Sequence, residues 1–291
     1  MLRSWMAVLL TLASTAVPTA GTLKSRLSDL IQHSGADVAV AFRTLDGRQE
    51  LFIDADAPFH AASTMKVPVM IELFRQADAG QLSLDDPLAV TNEFHSIVDG
   101  SVYHLSVSDD SDGAVYQAIG HTMTLRQLCE AMITVSSNLA ANLLIQRLGV
   151  ENIRHTVAQL GAGGMHVLRG VEDLKAFEKG MNNTTTARGL EILLDRLAEG
   201  RAVNPGADAQ MVAMLKRQHF NDAIPAGLPP GTSVAHKTGT ITKIHNDAAI
   251  VYGPRPYVLV VLVRGIADEK QSAALIASLS REVWNATAPP R

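Results

Sequence analysis

Three short strings in this 291-residue chain place reactive side chains where they could act together. In Ala61-Ala62-Ser63-Thr64-Met65-Lys66-Val67, a serine and a lysine stand three apart at the start of an apolar-periodic run. On a helix they share one face, about a turn apart, and a neutral lysine there can take the proton of the hydroxyl and make it a nucleophile. From these residues alone, a capped helix start reads the same way. Ser136-Ser137-Asn138 precedes Leu139-Ala140-Ala141-Asn142-Leu143-Leu144 and so sits at a helix N-terminus, where Ser and Asn are also ordinary caps. His236-Lys237-Thr238-Gly239-Thr240 reads as strand, with a glycine that lets a ligand backbone come close and a lysine that supplies positive charge. His236 either touches that site or faces away.

Each string is weak alone. In this order and at these separations they resemble the class A β-lactamases, within the wider penicillin-recognising serine hydrolases, whose signatures are Ser-x-x-Lys, Ser-Asp-Asn and Lys-Thr-Gly. Leu128-Cys129-Glu130-Ala131, Ala140-Ala141-Asn142-Leu143-Leu144, Thr184-Thr185-Thr186 and Asn246-Asp247 are also similar to family strings. The resemblance implies acyl transfer, with Ser63 attacking the carbonyl of a small-molecule β-lactam and with Lys66 or a carboxylate-held water taking its proton. Free lysine has a pKa of about 10.4, so Lys66 serves only if burial and the charge of Lys237 depress it. Ser136 is implied to relay the proton to the lactam nitrogen, and the N–H groups of Ser63 and Thr240 to form the oxyanion hole. Lys237 and Thr238, on the strand that carries Gly239 and Thr240, are implied to bind the substrate carboxylate, and Asn138 its side-chain amide.

The chain departs from the family pattern in three places. Ser137 replaces the aspartate between Ser136 and Asn138, where that side chain normally braces the turn. The omega-like loop is short and ends in Asn183, where an aspartate normally pairs with an arginine. The Glu-x-x-Leu-Asn string survives only in part, in Arg169-Gly170-Val171-Glu172-Asp173-Leu174-Lys175-Ala176. Glu172 is the expected base for the deacylating water, with Glu178 the poorer alternative. Deacylation separates a β-lactam hydrolase from a sensor that is acylated and stalls, and the other alternative is a D-alanyl-D-alanine peptidase or an esterase. A loop carboxylate favours the hydrolase.

The elements that must position these residues follow from periodicity. Leu23, Leu27, Leu30 and Ile31 mark a helix ending near Gly35, and Asp37 to Thr44 and Gln49 to Ile53 form a hairpin about Asp46-Gly47. Ser233 to Thr240, Asp247 to Tyr252 and Tyr257 to Arg264 read as strands, with a closing helix over Asp268 to Asn285. Between these ends the pattern is helical: Val67 to Ala79, Leu125 to Met132, Ser137 to Leu148, Val150 to Leu160 and Thr185 to Leu197. Asn92 to His121 and Gly161 to Asn183 are long irregular segments of the kind that carry function. The expected fold is α+β: an antiparallel sheet with flanking helices, residues 21–62 and 218–291, and an inserted all-α lobe, residues 63–217, with the site between them.

Composition narrows the partners. With 25 basic and 29 acidic residues and no Lys/Arg run, nucleic acid and anionic membranes are not expected. Arg3, the apolar stretch Met6 to Val17 and Pro18-Thr19-Ala20 read as a secretory leader, residues 1–20, with cleavage near Ala20. The mature chain is then expected to be a periplasmic or secreted monomer, free of the membrane. Cys129, the single cysteine, lies in a helical pattern and reads as a buried core thiol. No cofactor is implied and no metal is expected, since the ten histidines form no ligand spacing. Asp109-Asp110-Ser111-Asp112-Gly113 resembles the start of a calcium loop, but Ile119 stands where the closing Glu belongs, which leaves a solvated acidic loop.

Overall fold

The computed structural model describes residues 20–287, so the expected leader lies outside the described residues except for Ala20, which begins α1 (Ala20–Ser34). Gly35, at φ +66°, ends that helix as the sequence leads one to expect. Five strands form one antiparallel sheet in the order β2-β1-β11-β10-β9: β1 (Asp37–Thr44), β2 (Glu50–Ile53), β9 (Ser233–Ile241), β10 (Ile244–Tyr252) and β11 (Tyr257–Arg264). The two ends of the chain meet in it, with Asp37 opposite Arg264 and Thr44 opposite Tyr257.

Both faces of the sheet are covered, which is why β11 is apolar almost throughout. Tyr257, Leu259, Val261 and Val263 pack with Leu27 of α1 and Leu279 of the closing helix α9 (Glu269–Thr287). Val258, Val260 and Leu262 point the other way and join Val67, Leu190 and Leu193. Leu27 and Leu279 are fully buried, each contributing about 1.5–3 kcal/mol by leaving water.

The helices beyond that face are α2 (Lys66–Asp78), α3 (Leu125–Thr134), α4 (Asn138–Leu148), α5 (Val150–Gln159), α6 (Leu174–Glu178), α7 (Ala187–Ala198) and α8 (Pro205–Leu215). Cys129 is fully buried in α3. α6 and α8 are additions to the sequence reading. The Asn204-Pro205 pair starts α8, because Asn204 Oδ1 accepts from the N–H groups of Gly206 and Ala207. Short strands also lie in the middle of the chain: β3 (Phe59–His60) pairs with β8 (Thr184–Thr185), β4 (Pro87–Ala89) with β7 (Thr122–Thr124), and β5 (Phe94–His95) with β6 (Val102–Tyr103). The β5–β6 pair lies within the Asn92 to His121 segment that the sequence leaves irregular, and β4 and β7 bracket that segment.

Candidate active site

Ser63 stands in a 3-10 turn, Ala62–Met65, that runs straight into α2. The turn is fixed from three sides. Thr64 Oγ donates to Ala61 O at 2.6 Å, Asn246 Nδ2 of β10 donates to His60 O at 2.9 Å, and Ala61 N–H donates to Asn183 O at 2.9 Å. β9 closes the fourth side through Gly239, where a Cβ would fall 2.9 Å from Ser63 N and 3.1 Å from Ala61 O. The glycine therefore admits the protein's own backbone rather than a ligand's, and it brings the strand of Thr238 and Thr240 against the nucleophile's turn. Ser63, Ser111, Ser136, Thr238, Thr240, His245 and Glu269 are among the residues lining a cleft of about 260 Å³. A wider groove of about 550 Å³ beside α5, lined by residues including Glu151, Arg154 and His155, carries no serine or cysteine.

Lys66 is fully buried, as its place at the start of α2 under the turn requires. Its Nζ donates to Ser136 O at 2.6 Å, to Asn138 Oδ1 at 2.8 Å and to Ser136 Oγ at 3.2 Å. Burial strips water from the ammonium and lowers its pKa to about 7, against the opposing pull of the Asp110 and Glu172 carboxylates. Lys237 is buried as deeply, and its Nζ donates to the same Ser136 Oγ at 3.0 Å and to Thr238 O at 2.9 Å. Its pKa falls well below the usual lysine range, first through burial and then through the charge of Lys66. The sequence assigns Lys237 a fixed positive charge and expects burial and that charge together to depress Lys66. In the structure burial depresses Lys66, and Lys237 bears the repulsion.

Ser136 reaches both lysines because of its backbone. The turn between α3 and α4 puts it at φ +62°, a left-handed conformation that costs a serine about 1–2 kcal/mol. Its carbonyl then faces Lys66 while its hydroxyl lies between the two amines. The flanking helices hold that turn, α3 starting from a Thr124–Gln127 capping box and α4 capped by Ser137, whose Oγ accepts from Ala140 N–H at 3.3 Å. Asn138 Oδ1 accepts from Lys66 while its Nδ2 donates to Glu172 Oε1 at 2.8 Å. Only this orientation of the amide suits a donor-only ammonium and an acceptor carboxylate.

Glu172 is half-buried, at φ +62°, and burial raises its carboxyl pKa above the usual glutamate range. Glu178 is exposed at the end of α6. The loop bearing Glu172 is pinned along its length. Asn142 of α4 donates to Val171 O at 3.0 Å and accepts from Val171 N–H at 2.7 Å, and a Cβ on Gly170 would come within 2.6 Å of Asn142 Oδ1. Asn183 Oδ1 accepts from the N–H groups of Leu168 and Arg169 at 2.8 and 3.2 Å, and its Nδ2 donates to Arg169 O at 3.0 Å. Arg169, with no aspartate at 183, donates instead to Met181 O, Gly170 O and Asn182 Oδ1. Amide hydrogen bonds thus close a neck that the resemblance assigns to an ion pair.

His236 is turned to Asp247, its Nδ1 at 3.0 Å from Oδ1, while Asp247 Oδ2 accepts from Ile224 N–H at 3.0 Å. Sequence reasoning missed the roles of Asn142 and Asp110. Asp110 is not simply part of a solvated loop: its carboxylate accepts from Asn138 N–H at 2.9 Å and Leu139 N–H at 3.0 Å. Leu139-to-Leu144 helicity signals a helix start in need of an acceptor, but nothing in the sequence says which loop supplies it.

Comparison with known proteins identifies the family. The model of the beta-lactamase enzyme family matches residues 22–287. A beta-lactamase of Streptomyces albus G is 30% identical over 268 residues, covering 88% of this chain and 82% of its own. Beta-lactamase CTX-M-97 of Escherichia coli is 27% identical over 285 residues, covering 93% and 91%. Among solved structures, an ancestral (GNCA) class A beta-lactamase superposes with a TM-score of 0.79 at 28% identity over 91% of this chain and 99% of its own. PBP-A superposes at 0.80 with 26% identity, covering 93% and 98%. An α+β fold, a serine and lysine under one turn, and a match over nearly all the described residues lead to one assignment: the chain belongs to the beta-lactamase enzyme family and is a serine β-lactamase of class A.

Proposed function

We propose that Ser63 is the nucleophile that opens the β-lactam ring and carries the acyl group, with the two-lysine contact on Ser136 as the observation that carries the assignment. Its pKa of about 7 makes the neutral amine accessible near neutral pH, which supports Lys66 as the base that takes the Ser63 proton. A substrate carboxylate seated against Lys237 and Thr238 favours the ammonium form of Lys237. Like charge across Ser136 Oγ then favours neutral Lys66, so substrate binding itself prepares the base. Ser136, held by Lys66 at 3.2 Å and Lys237 at 3.0 Å, passes the proton to the departing lactam nitrogen. The N–H groups of Ser63 and Thr240, aligned by the close approach at Gly239, stabilise the oxyanion, and Asn138 takes the side-chain amide.

In the second half-reaction Glu172 removes a proton from the water that attacks the acyl-enzyme. Its raised pKa makes it a stronger base than a free glutamate, and the Asn138 hydrogen bond aims it. We assign residues 21–62 and 218–291 to the sheet lobe and 63–217 to the helical lobe, with the cleft between them. The reading places the protein outside the cytoplasm as a monomer that acts on a small soluble substrate. Among the described residues no helix is long and apolar enough to cross a membrane.

Intact-protein mass spectrometry during turnover of a penicillin tests this reading. A transient adduct on Ser63 with release of the opened product is expected. A lasting adduct points to a sensor or a D-alanyl-D-alanine peptidase, and the absence of any adduct points to an esterase.

A further inference from the structure

The turn that lacks the family's carboxylate at Ser137 is not without one. Asp110, on the segment between β6 and β7, reaches in and accepts from Asn138 N–H with both oxygens, 2.9 Å each, and from Leu139 N–H at 3.0 Å. It also accepts from Ser137 Oγ at 3.4 Å. These N–H groups are open donors at the positive end of α4, where a carboxylate binds best. The residue so held is Asn138, whose side chain spans Lys66 and Glu172. Asn138 is thus fixed through its backbone by one loop and through its side chain by the two candidate bases.

We propose that Asp110 is the positioning residue of the Ser136-Ser137-Asn138 turn: its carboxylate, supplied from a separate loop, does from outside what an aspartate at 137 would do from within, and so sets the geometry of acylation. The proposal rests on the Ser63 acyl-transfer reading above. It also explains why Ser137 is small. A second carboxylate there would stand against Asp110, since Ser137 Oγ lies 3.4 Å from Asp110 Oδ2.

Asp110 acts on the chemistry by charge as well as by contact. The titratable groups around the turn are Lys66 from α2, Lys237 from β9, Glu172 from the loop before α6, and Asp109 and Tyr116 from the same segment as Asp110. The Asp110 carboxylate holds up the pKa of both Lys66 and Glu172. Neutralising it lowers both, so whichever of them receives the Ser63 proton, the acidic limb of the kcat/KM profile moves to lower pH. That shift reports the charge, and positioning is read separately: a cap that merely stabilised α4 would lower the melting temperature without a loss of kcat/KM that Ser137→Asp restores.

The test compares the wild type, Asp110→Asn, Ser137→Asp and the double variant, measuring kcat/KM for a chromogenic cephalosporin across the neutral pH range together with melting temperature. Asp110→Asn is expected to lose about tenfold in kcat/KM, the worth of one charge-assisted hydrogen bond, with the acidic limb shifted to lower pH. Ser137→Asp alone is expected to be damaging, whereas in the Asp110→Asn background it should recover most of the lost activity. Should Asp110→Asn not fold, the double variant decides: a folded, active protein upholds the exchange of carboxylates and an inactive one overturns it. Asp110→Asn with kcat/KM within twofold of wild type and an unmoved limb overturns the proposal, as does a Ser137→Asp change that fails to rescue. A wild type that a penicillin does not acylate on Ser63 refutes the acyl-transfer reading itself and the proposal with it.

Discussion

Lys66 and Lys237, far apart in sequence, meet on a single atom: both amines donate to Ser136 Oγ, at 3.2 and 3.0 Å. Protonated together, two buried amines so placed would repel, and neither has the water that would stabilise its charge. This shared contact is what supports the proposal that Ser136 is a proton carrier rather than a bystander.

Removing that carrier is the first expectation. Ser136→Ala leaves Lys66 bonded to Ser136 O and Asn138 Oδ1, so the fold should persist, but the route to the lactam nitrogen is lost. General acid help of this kind is typically worth about a hundred- to ten-thousand-fold, so kcat/KM for a cephalosporin should fall by that order while the melting temperature stays close to wild type. A fall of less than fivefold would assign the proton delivery to another group.

The buried Lys66 gives acylation a pH signature. The amine must be neutral to act as base, and its pKa is about 7, so kcat/KM should rise with pH through neutrality and level off above it. Lys66→Arg, which stays charged, should abolish the reaction at every pH tested. Pre-steady-state acylation measured across this range checks both statements, and an acylation rate independent of pH around neutrality would make Lys66 a purely electrostatic residue.

Gly239→Ala probes the approach of β9 to the nucleophile. The added Cβ would fall 2.9 Å from Ser63 N and 3.0 Å from Thr64 N, so strand or turn must shift. Overpacking of this kind costs about 1–3 kcal/mol, readable as a drop in melting temperature, and the displaced N–H groups should lower the acylation rate as well. Unchanged stability and activity would mean that the two backbones are not in firm contact.

At the loop neck, Asn183→Ala removes three hydrogen bonds from a buried side chain. Leaving the Leu168 and Arg169 groups unpaired should cost about 1–3 kcal/mol. Because that neck positions Glu172 and not Lys66, deacylation should slow more than acylation, which stopped-flow separation of the burst from the steady state resolves. Equal slowing of both steps would place the effect on the whole site.

How much of this was legible in the sequence depends on the range over which each feature is determined. The hairpin at Asp46-Gly47, the end of α1 at Gly35 and the apolar β11 follow from local periodicity and turn chemistry, and the structure has them where the residues put them. That Lys66 would sit under Ser63's turn follows from the Ser-x-x-Lys spacing. Other features are tertiary. The Asp110 carboxylate meets Asn138 across 28 residues of chain, so it reads as a solvated acid until the loop is folded. Asn183 looks like a lost ion-pair partner until its amide is seen bridging Leu168 and Arg169. α8 escaped notice because Pro205-Gly206 and the small residues after it give no amphipathic stripe, and its start is declared only by the Asn204 cap.

The central claim is that Ser63 carries the acyl group and Glu172 releases it, and one measurement addresses both halves. Glu172→Gln keeps the side-chain shape and removes the proton acceptor, so it should acylate and then stall. Mixed with a penicillin and followed by intact-protein mass spectrometry with peptide mapping, it should accumulate a stable adduct on the peptide containing Ser63. Turnover should fall by about a hundred- to ten-thousand-fold while the early burst survives. Glu178→Gln and the wild type should both turn over, each with only a transient adduct. Glu172→Gln that turns over normally, or an adduct mapped to any residue other than Ser63, would contradict the account.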